Sequence, residues 1–297
     1  MRGNERLRAD LTLLCVAGIW GLSFVAQRQS AQAVPALLFN AARWLLGGGV
    51  TLAFIRFRLE IKKDTLRWML AGGGLLFAAS FLQQAGLKYT NAGNAGFVTG
   101  TYVILIPLLL AGIWRQRVHW VGWLAAPATG AGLFLLSYRG LSRLNPGDAL
   151  ELAGALMWAF HVIVTGMAVQ KMPVGQFAAG QYLVCGLLNL VLGAAIHPNE
   201  IPLLASEWVN ILYLGIAATA LGFSLQALGQ RHAPPVDAAV ILSMETVFAA
   251  FFGWVLLGEK LSPVQLSGCA LILLAILLPQ FMRRPLATSP ATTTEVS

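Results

Sequence analysis

Apolar residues run through this chain in ten blocks of about twenty, with short polar breaks between them. The blocks cover roughly residues 10–28, 34–55, 66–87, 93–113, 119–138, 147–169, 174–197, 206–229, 234–257 and 262–282. A helix needs about 20 mostly apolar residues to cross the hydrocarbon core of a bilayer. Membrane strands would be shorter and would alternate in polarity, which these blocks do not. The pattern therefore predicts ten transmembrane helices. Several blocks open near Pro35, Pro146, Pro173, Pro234 or Pro263, which suits the first turn of a helix, where a proline loses no hydrogen bond.

The pattern also repeats. Trp20 and Pro35 lie fifteen residues apart, and Trp158 and Pro173 do the same 138 residues later. At that offset Phe39 aligns with Phe177, Arg43 with Gln181 and Trp44 with Tyr182. At an offset of 143, Gln83 and Gly86 align with Gln226 and Gly229, Lys88 with Arg231, Ala95 with Ala238, and Tyr102 with Glu245. A five-residue drift is one loop insertion. The organisation expected is a tail at 1–9, a first five-helix unit at 10–140, a second at 145–284 and a tail at 285–297. The last of these is rich in Thr, Ser, Pro and Ala and is expected to be disordered. An odd number of helices per copy forces the second copy to insert upside down. The fold class expected is thus an all-α integral membrane protein built from two inverted five-helix repeats. Such repeats point to a transporter with its substrate site between the copies.

Composition strengthens the membrane reading. The 297 residues are 57% hydrophobic and 11% charged, with a mean hydropathy of +0.71, whereas soluble domains carry about 25% charged residues. The net charge of +8 does not indicate nucleic acid, because the basic residues sit in short loops and no nucleic-acid motif is present. They report topology instead. With the N-terminus in the cytoplasm, fourteen Lys and Arg fall on the inner side, five on the outer side, and Arg43 within a helix. That bias places both termini inside, at the cell inner (plasma) membrane. Lys88 and Arg231 align in the repeat yet fall on opposite sides, as inverted copies require. No cleavable signal peptide is evident. Cys15, Cys185 and Cys269 lie in apolar stretches without a CxxC and read as small buried hydrophobes.

Ionisable groups within the bilayer are costly, roughly 2.5–3.5 kcal/mol each, and draw attention to function. Glu245 falls midway along the ninth block and would hold a substrate amine or carry a coupling proton; the alternative is a structural carboxylate bonded to a neighbouring helix. Arg43 shares a helical face with Asn40, Trp44 and Gly47. It would bind a substrate carboxylate, form an ion pair with Glu245, or lock helices together. His161 follows Trp158 by one turn, as Ser23 follows Trp20, and the symmetric tryptophans suggest cavity walls. Asp148 and Glu151 lie at the outer end of the sixth block, and Asp237 at the inner start of the ninth. Helix three carries Gln83 and Gln84, and helix four carries Asn91, Asn94, Thr99, Thr101 and Tyr102. Of these, Asn94, Thr101 and Tyr102 fall at i, i+7 and i+8 as a polar stripe that should face protein or a wet cavity. Gly96 and Gly100 form a GxxxG, and the clusters 47–49 and 72–74 also read as packing. There is no catalytic constellation, cofactor motif or metal-ligand spacing, and the loops are too short for a nucleotide-driven motor, so the chain reads as neither enzyme nor pump.

Particular segments resemble the drug/metabolite transporter superfamily in its EamA branch. They are AGIWGLSFV at 17–25, GLKYTNAGNAGF at 86–97, AVILSME at 239–245, FAA at 248–250 and LGEKLS at 257–262. The resemblance spans about residues 11–282. It implies an exporter of small metabolites, often amino acids, with a central cavity between helices one, three, four, six, eight and nine. Trp20, Gln83, Tyr102, Trp158 and Glu245 would line it. Family members usually carry proline after the glutamate of helix nine; here Thr246 stands, which puts the expected kink in doubt. Val103 likewise follows Tyr102, although Pro107 could bend helix four one turn later.

The reading is a secondary transporter that exports small metabolites by alternating access. Its substrates would be amino acids, with aromatic or large apolar ones a plausible subset given Trp20, Trp158 and Tyr102. The substrate-binding candidates are Trp20, Gln83, Asn94, Tyr102, Trp158, His161 and Glu245. The partners expected are a small-molecule substrate and the bilayer, in a monomer or homodimer, with no cofactor. The rivals are a multidrug or organic-cation exporter and a non-transporting membrane scaffold.

Overall fold

A computed structural model describes residues 3–90, 92–137, 146–257 and 262–282. Those residues form ten helical spans. They are α1 (Gly3–Ala33), α2 (Ala36–Phe54), α3 (Lys63–Gly86), α4 (Ala92–Gly100 and Tyr102–Gly112) and α5 (Trp120–Ser137). The second half supplies α6 (Pro146–Ala168), α7 (Val174–Ile196), α8 (Trp208–Leu212, Tyr213–Phe223 and Ser224–Gln230), α9 (Pro235–Leu242 and Met244–Leu257) and α10 (Pro263–Met282). A 3-10 segment, Pro198–Glu207, leads into α8. Eight of the spans are long and apolar enough to cross a membrane, and the apolar stretches Trp120–Leu136 and Pro263–Leu278 are shorter.

Each of the five prolines stands where a helix begins. Pro35 and Pro173 cap α2 and α7, Pro146 and Pro263 open α6 and α10, and Pro234 precedes α9. The first helix runs about two turns further toward the N-terminus than the apolar block alone predicts. Charged residues continue it: Arg6 Nε bonds Asp10 Oδ1 at 2.9 Å, one turn on, a spacing that supports a helix.

The packing is symmetric. α2 lies along α7, and α5 along α10, so each of these helices meets its own counterpart. α1 packs on α8 and α9, and its counterpart α6 packs on α3 and α4. α3 packs on α7, and α8 on α2. Exchanging every helix with the one five places along leaves these pairings unchanged, as two inverted five-helix repeats require. Small residues allow the close approaches. A Cβ on Gly72 would lie 2.8 Å from Gln181 Oε1, one on Gly48 2.9 Å from Leu183 Cδ2, and one on Gly100 2.8 Å from Leu133 Cδ1. Gly96 is not pressed in this way; its nearest neighbour is Phe24, at 3.9 Å.

Two counterpart helices are broken at the same depth. α4 breaks at Thr101 and α9 at Ser243, although neither position has a proline. A hydroxyl does the work. Thr101 Oγ1 donates to Val98 O and Ser243 Oγ donates to Val240 O, both at 2.6 Å. The backbone tightens alongside: Thr101 N bonds Val98 O at 3.2 Å, and Thr246 N bonds Ser243 O at 3.2 Å. A hydroxyl that bonds back to the preceding turn bends a helix.

Candidate functional site

These breaks open on a cavity between the repeats. Counted together with the space at its open mouth, it holds about 570 Å³ not filled by atoms. Its walls come from α1, α2, α3, α4, α6, α8 and α9. Five repeat-related pairs line it: Trp20 with Trp158, Phe24 with Val162, Gln83 with Gln226, Thr99 with Leu242, and Tyr102 with Glu245. The cavity therefore lies on the axis that exchanges the two halves.

The tryptophans are anchored in equivalent ways by different acceptors. Trp158 Nε1 donates to Gln83 Oε1 at 2.8 Å, between α6 and α3. Trp20 Nε1 donates to Ala218 O at 3.1 Å, between α1 and α8. The second acceptor is a backbone carbonyl in a stretch of α8, Tyr213–Phe223, that winds as a π-helix, a form found mostly at functional places. Gly222 completes the fit, since a Cβ there would lie 2.7 Å from Trp20 Nε1. Phe223 fills the wall between the two indoles, with ring centroids 4.5 Å from Trp20 and 5.6 Å from Trp158, stacked at 20° on the latter.

Polar groups face the cavity without internal partners. Glu245 is buried and bonds no other side chain or ion among the described residues. The Tyr102 hydroxyl and Gln226 Oε1 are enclosed and unpartnered. Buried polar groups are normally satisfied, so these are free to bond a solute. Arg43 is also buried and faces the cavity. Its Nε donates to Asn40 Oδ1 at 2.8 Å, and its guanidinium lies 5.2 Å from the Trp44 ring centroid.

Two of the alternatives raised by the sequence are not realised among the described residues. Arg43 and Glu245 form no ion pair among the described residues; Arg43 turns to Asn40, one turn away on its own helix. His161 does not line the cavity. It is wholly buried behind Trp158 and Phe223, with Nε2 3.0 Å from Gln181 Oε1 and 3.3 Å from Thr165 Oγ1. The side chain of Asn94 lies outside the described residues. Sequence reasoning did not select Ser23, Phe24, Gln27, Thr99, Val162, Ala218, Phe223, Gln226 or Leu242 as lining residues, which they are. Gln226 carried a signal, its alignment with Gln83. The repeat counterpart of Phe223 is Ser80, which gives no hint of an aromatic wall.

The profile of the EamA-like transporter family matches residues 7–138 and 145–279. An "Uncharacterized transporter" from Archaeoglobus fulgidus is 31% identical over 280 residues, covering 93% of this chain and 87% of that protein. The "Uncharacterized inner membrane transporter YedA" of Escherichia coli K12 is 26% identical, covering 94% of this chain and 92% of its own. The "Threonine/homoserine exporter RhtA" of the same organism is 26% identical over 80% of this chain and 79% of its own. A solved crystal structure at 23% identity matches with a TM-score of 0.77, over 95% of this chain and 98% of that one, and shares the fold.

Proposed function

The chain belongs to the EamA-like transporter family, and we propose that it exports amino acids through the cavity between its repeats. It is a multi-pass membrane transporter, so the bilayer and a small solute are its partners. The observation that carries the substrate class is a pair of opposite charges on one cavity, Glu245 and Arg43, neither paired with the other. An amino acid offers an ammonium for Glu245 and a carboxylate for Arg43, whose Nη groups stay unused by Asn40. Tyr102 and Gln226 would take further hydrogen bonds. Trp20, Phe223 and Trp158 give the side chain an apolar, stacking wall. The name of the relative RhtA, a threonine/homoserine exporter, agrees with this class.

The two halves rock about the cavity, alternating access as inverted repeats do. The excess of Lys and Arg in one set of loops supports an inner-membrane protein with both termini in the cytoplasm. The test is uptake into proteoliposomes of labelled threonine, homoserine, leucine, phenylalanine and tetraphenylphosphonium. Saturable flux of one or more amino acids supports the reading. Flux of the lipophilic cation alone moves the protein to the organic-cation class, and no flux of any solute supports a scaffold.

A further inference from the structure

Glu151 of α6 has no part in the proposed amino-acid site, yet one side chain separates it from the cavity. It is wholly buried. Its Oε2 accepts the Thr99 hydroxyl at 2.8 Å, and Thr99 itself lines the cavity. Its Oε1 has no hydrogen-bond partner. Gly86 of α3 makes room for it: a Cβ there would lie 2.9 Å from Oε1 and 3.0 Å from Gly147 O.

Among the described residues, the charge that acts on Glu151 is a second carboxylate. On its own helix Asp148 lies one turn earlier, accepting the Thr90 hydroxyl at 2.7 Å. α3 presents Gly86 and α4 presents Thr99, neither of which titrates. α8 and α9 meet α6 further along, where Gln230 bonds Val162 O and Pro235 faces Gly166. Among the described residues no Lys, Arg or His is bonded to Glu151.

We propose that Glu151 is a proton-binding site of the transporter, loaded and emptied from the cavity through Thr99. The proposal rests on the transport reading above. An uncompensated buried carboxylate costs several kcal/mol, and a proton removes that cost. The step balances simply: hydronium reaching the cavity gives its proton to the carboxylate and leaves as water, and water takes it back in reverse. Thr99 serves both forms, because a hydroxyl donates to a carboxylate and, once rotated, accepts from a carboxylic acid. A site loaded from one face and emptied to the other would couple solute flux to a proton gradient, while Glu245 remains free for the solute.

Dicyclohexylcarbodiimide tests proton binding without any solute, since it adds to carboxyl groups that carry a proton. The full chain in proteoliposomes is treated across a range of pH, and labelled positions are read by mass spectrometry. Label at Glu151 that falls as pH rises is the expected result. No label at Glu151 at acid pH, in a sample where Glu245 is labelled, would overturn the proposal. The second arm is flux of labelled threonine with and without a pH gradient. The ratio of the two rates exceeds one in the wild type and falls to one in Glu151→Gln; Thr99→Ser keeps the response and Thr99→Val loses it. A ratio unchanged in Glu151→Gln also overturns the proposal. Absence of flux for every amino acid would defeat the substrate reading alone, and the labelling arm would still decide the fate of Glu151.

Discussion

Gly222→Ala is a sensitive probe of the cavity. The added Cβ would sit 2.7 Å from Trp20 Nε1 and 3.3 Å from Ala217 O. Carbon contacts are comfortable at about 3.5–4.0 Å, so the indole must retreat by about 0.8 Å or more. Its 3.1 Å bond to Ala218 O cannot survive that shift. Losing one such bond costs about 1 kcal/mol, and crowding adds about 1 kcal/mol. A ring facing open space gives way more readily than the packed backbone of α8, so the damage falls mainly on the cavity. Solute affinity should drop on the order of tenfold, as about 1.4 kcal/mol of lost contact implies. Thermal unfolding in detergent should move down by only a few degrees. Gly49→Ala and Gly74→Ala are the controls, since a Cβ at either meets nothing within 4 Å. The assay is concentration-dependent uptake of the best amino acid. If Gly222→Ala matches the controls, the Trp20 wall is not part of the solute site.

Other perturbations separate the site from the scaffold. Glu245→Gln should abolish amino-acid flux while leaving folded protein in the membrane, and wild-type flux would remove Glu245 from the mechanism. Trp20→Ala and Trp158→Ala should weaken solute binding more than Trp123→Ala, whose ring is exposed on α5; equal effects would sink the wall assignment. Arg6 Nη2 reaches Asp237 Oδ2 at 2.8 Å, tying α1 to α9 at a nearly buried carboxylate. Asp237→Asn should cost about 2 kcal/mol, and Arg6→Ala with Asp237→Asn should cost less than the sum of the two alone. Strict additivity in thermal unfolding would mean that the pair carries no coupling.

The helices and the repeat were legible because both are properties of local pattern. Apolar blocks of membrane length and prolines at their starts need no tertiary knowledge. The aligned pairs Trp20/Trp158, Gln83/Gln226 and Tyr102/Glu245 then fall on the symmetry axis. What failed depended on which partner each side chain takes in the fold, a choice the apolar pattern does not make. His161 sits one turn from Trp158, but Gln181 of α7 draws it behind the aromatic wall. Arg43 was offered Glu245 by charge alone, and the nearer Asn40 took it. Phe223 reaches the wall at the end of a π-helical stretch that a periodicity of 3.6 does not anticipate. The helix breaks were obscured for a chemical reason. Proline announces a kink in sequence, whereas Thr101 and Ser243 bend their helices through hydroxyl bonds visible only in the fold.

One cavity serving both faces of the membrane is the central claim. Ser23 lines that cavity and is small, so Ser23→Cys places a thiol there with little disturbance. Cys15 and Cys269 would first be replaced, and Cys185, which is fully buried, retained. The measurement is labelling of that single thiol by a membrane-impermeant reagent, applied from each side of the membrane in turn, with and without a transported amino acid. Labelling from both sides, with protection by the amino acid on each, is the expected result. Labelling from one side only, or none that the amino acid prevents, would contradict it.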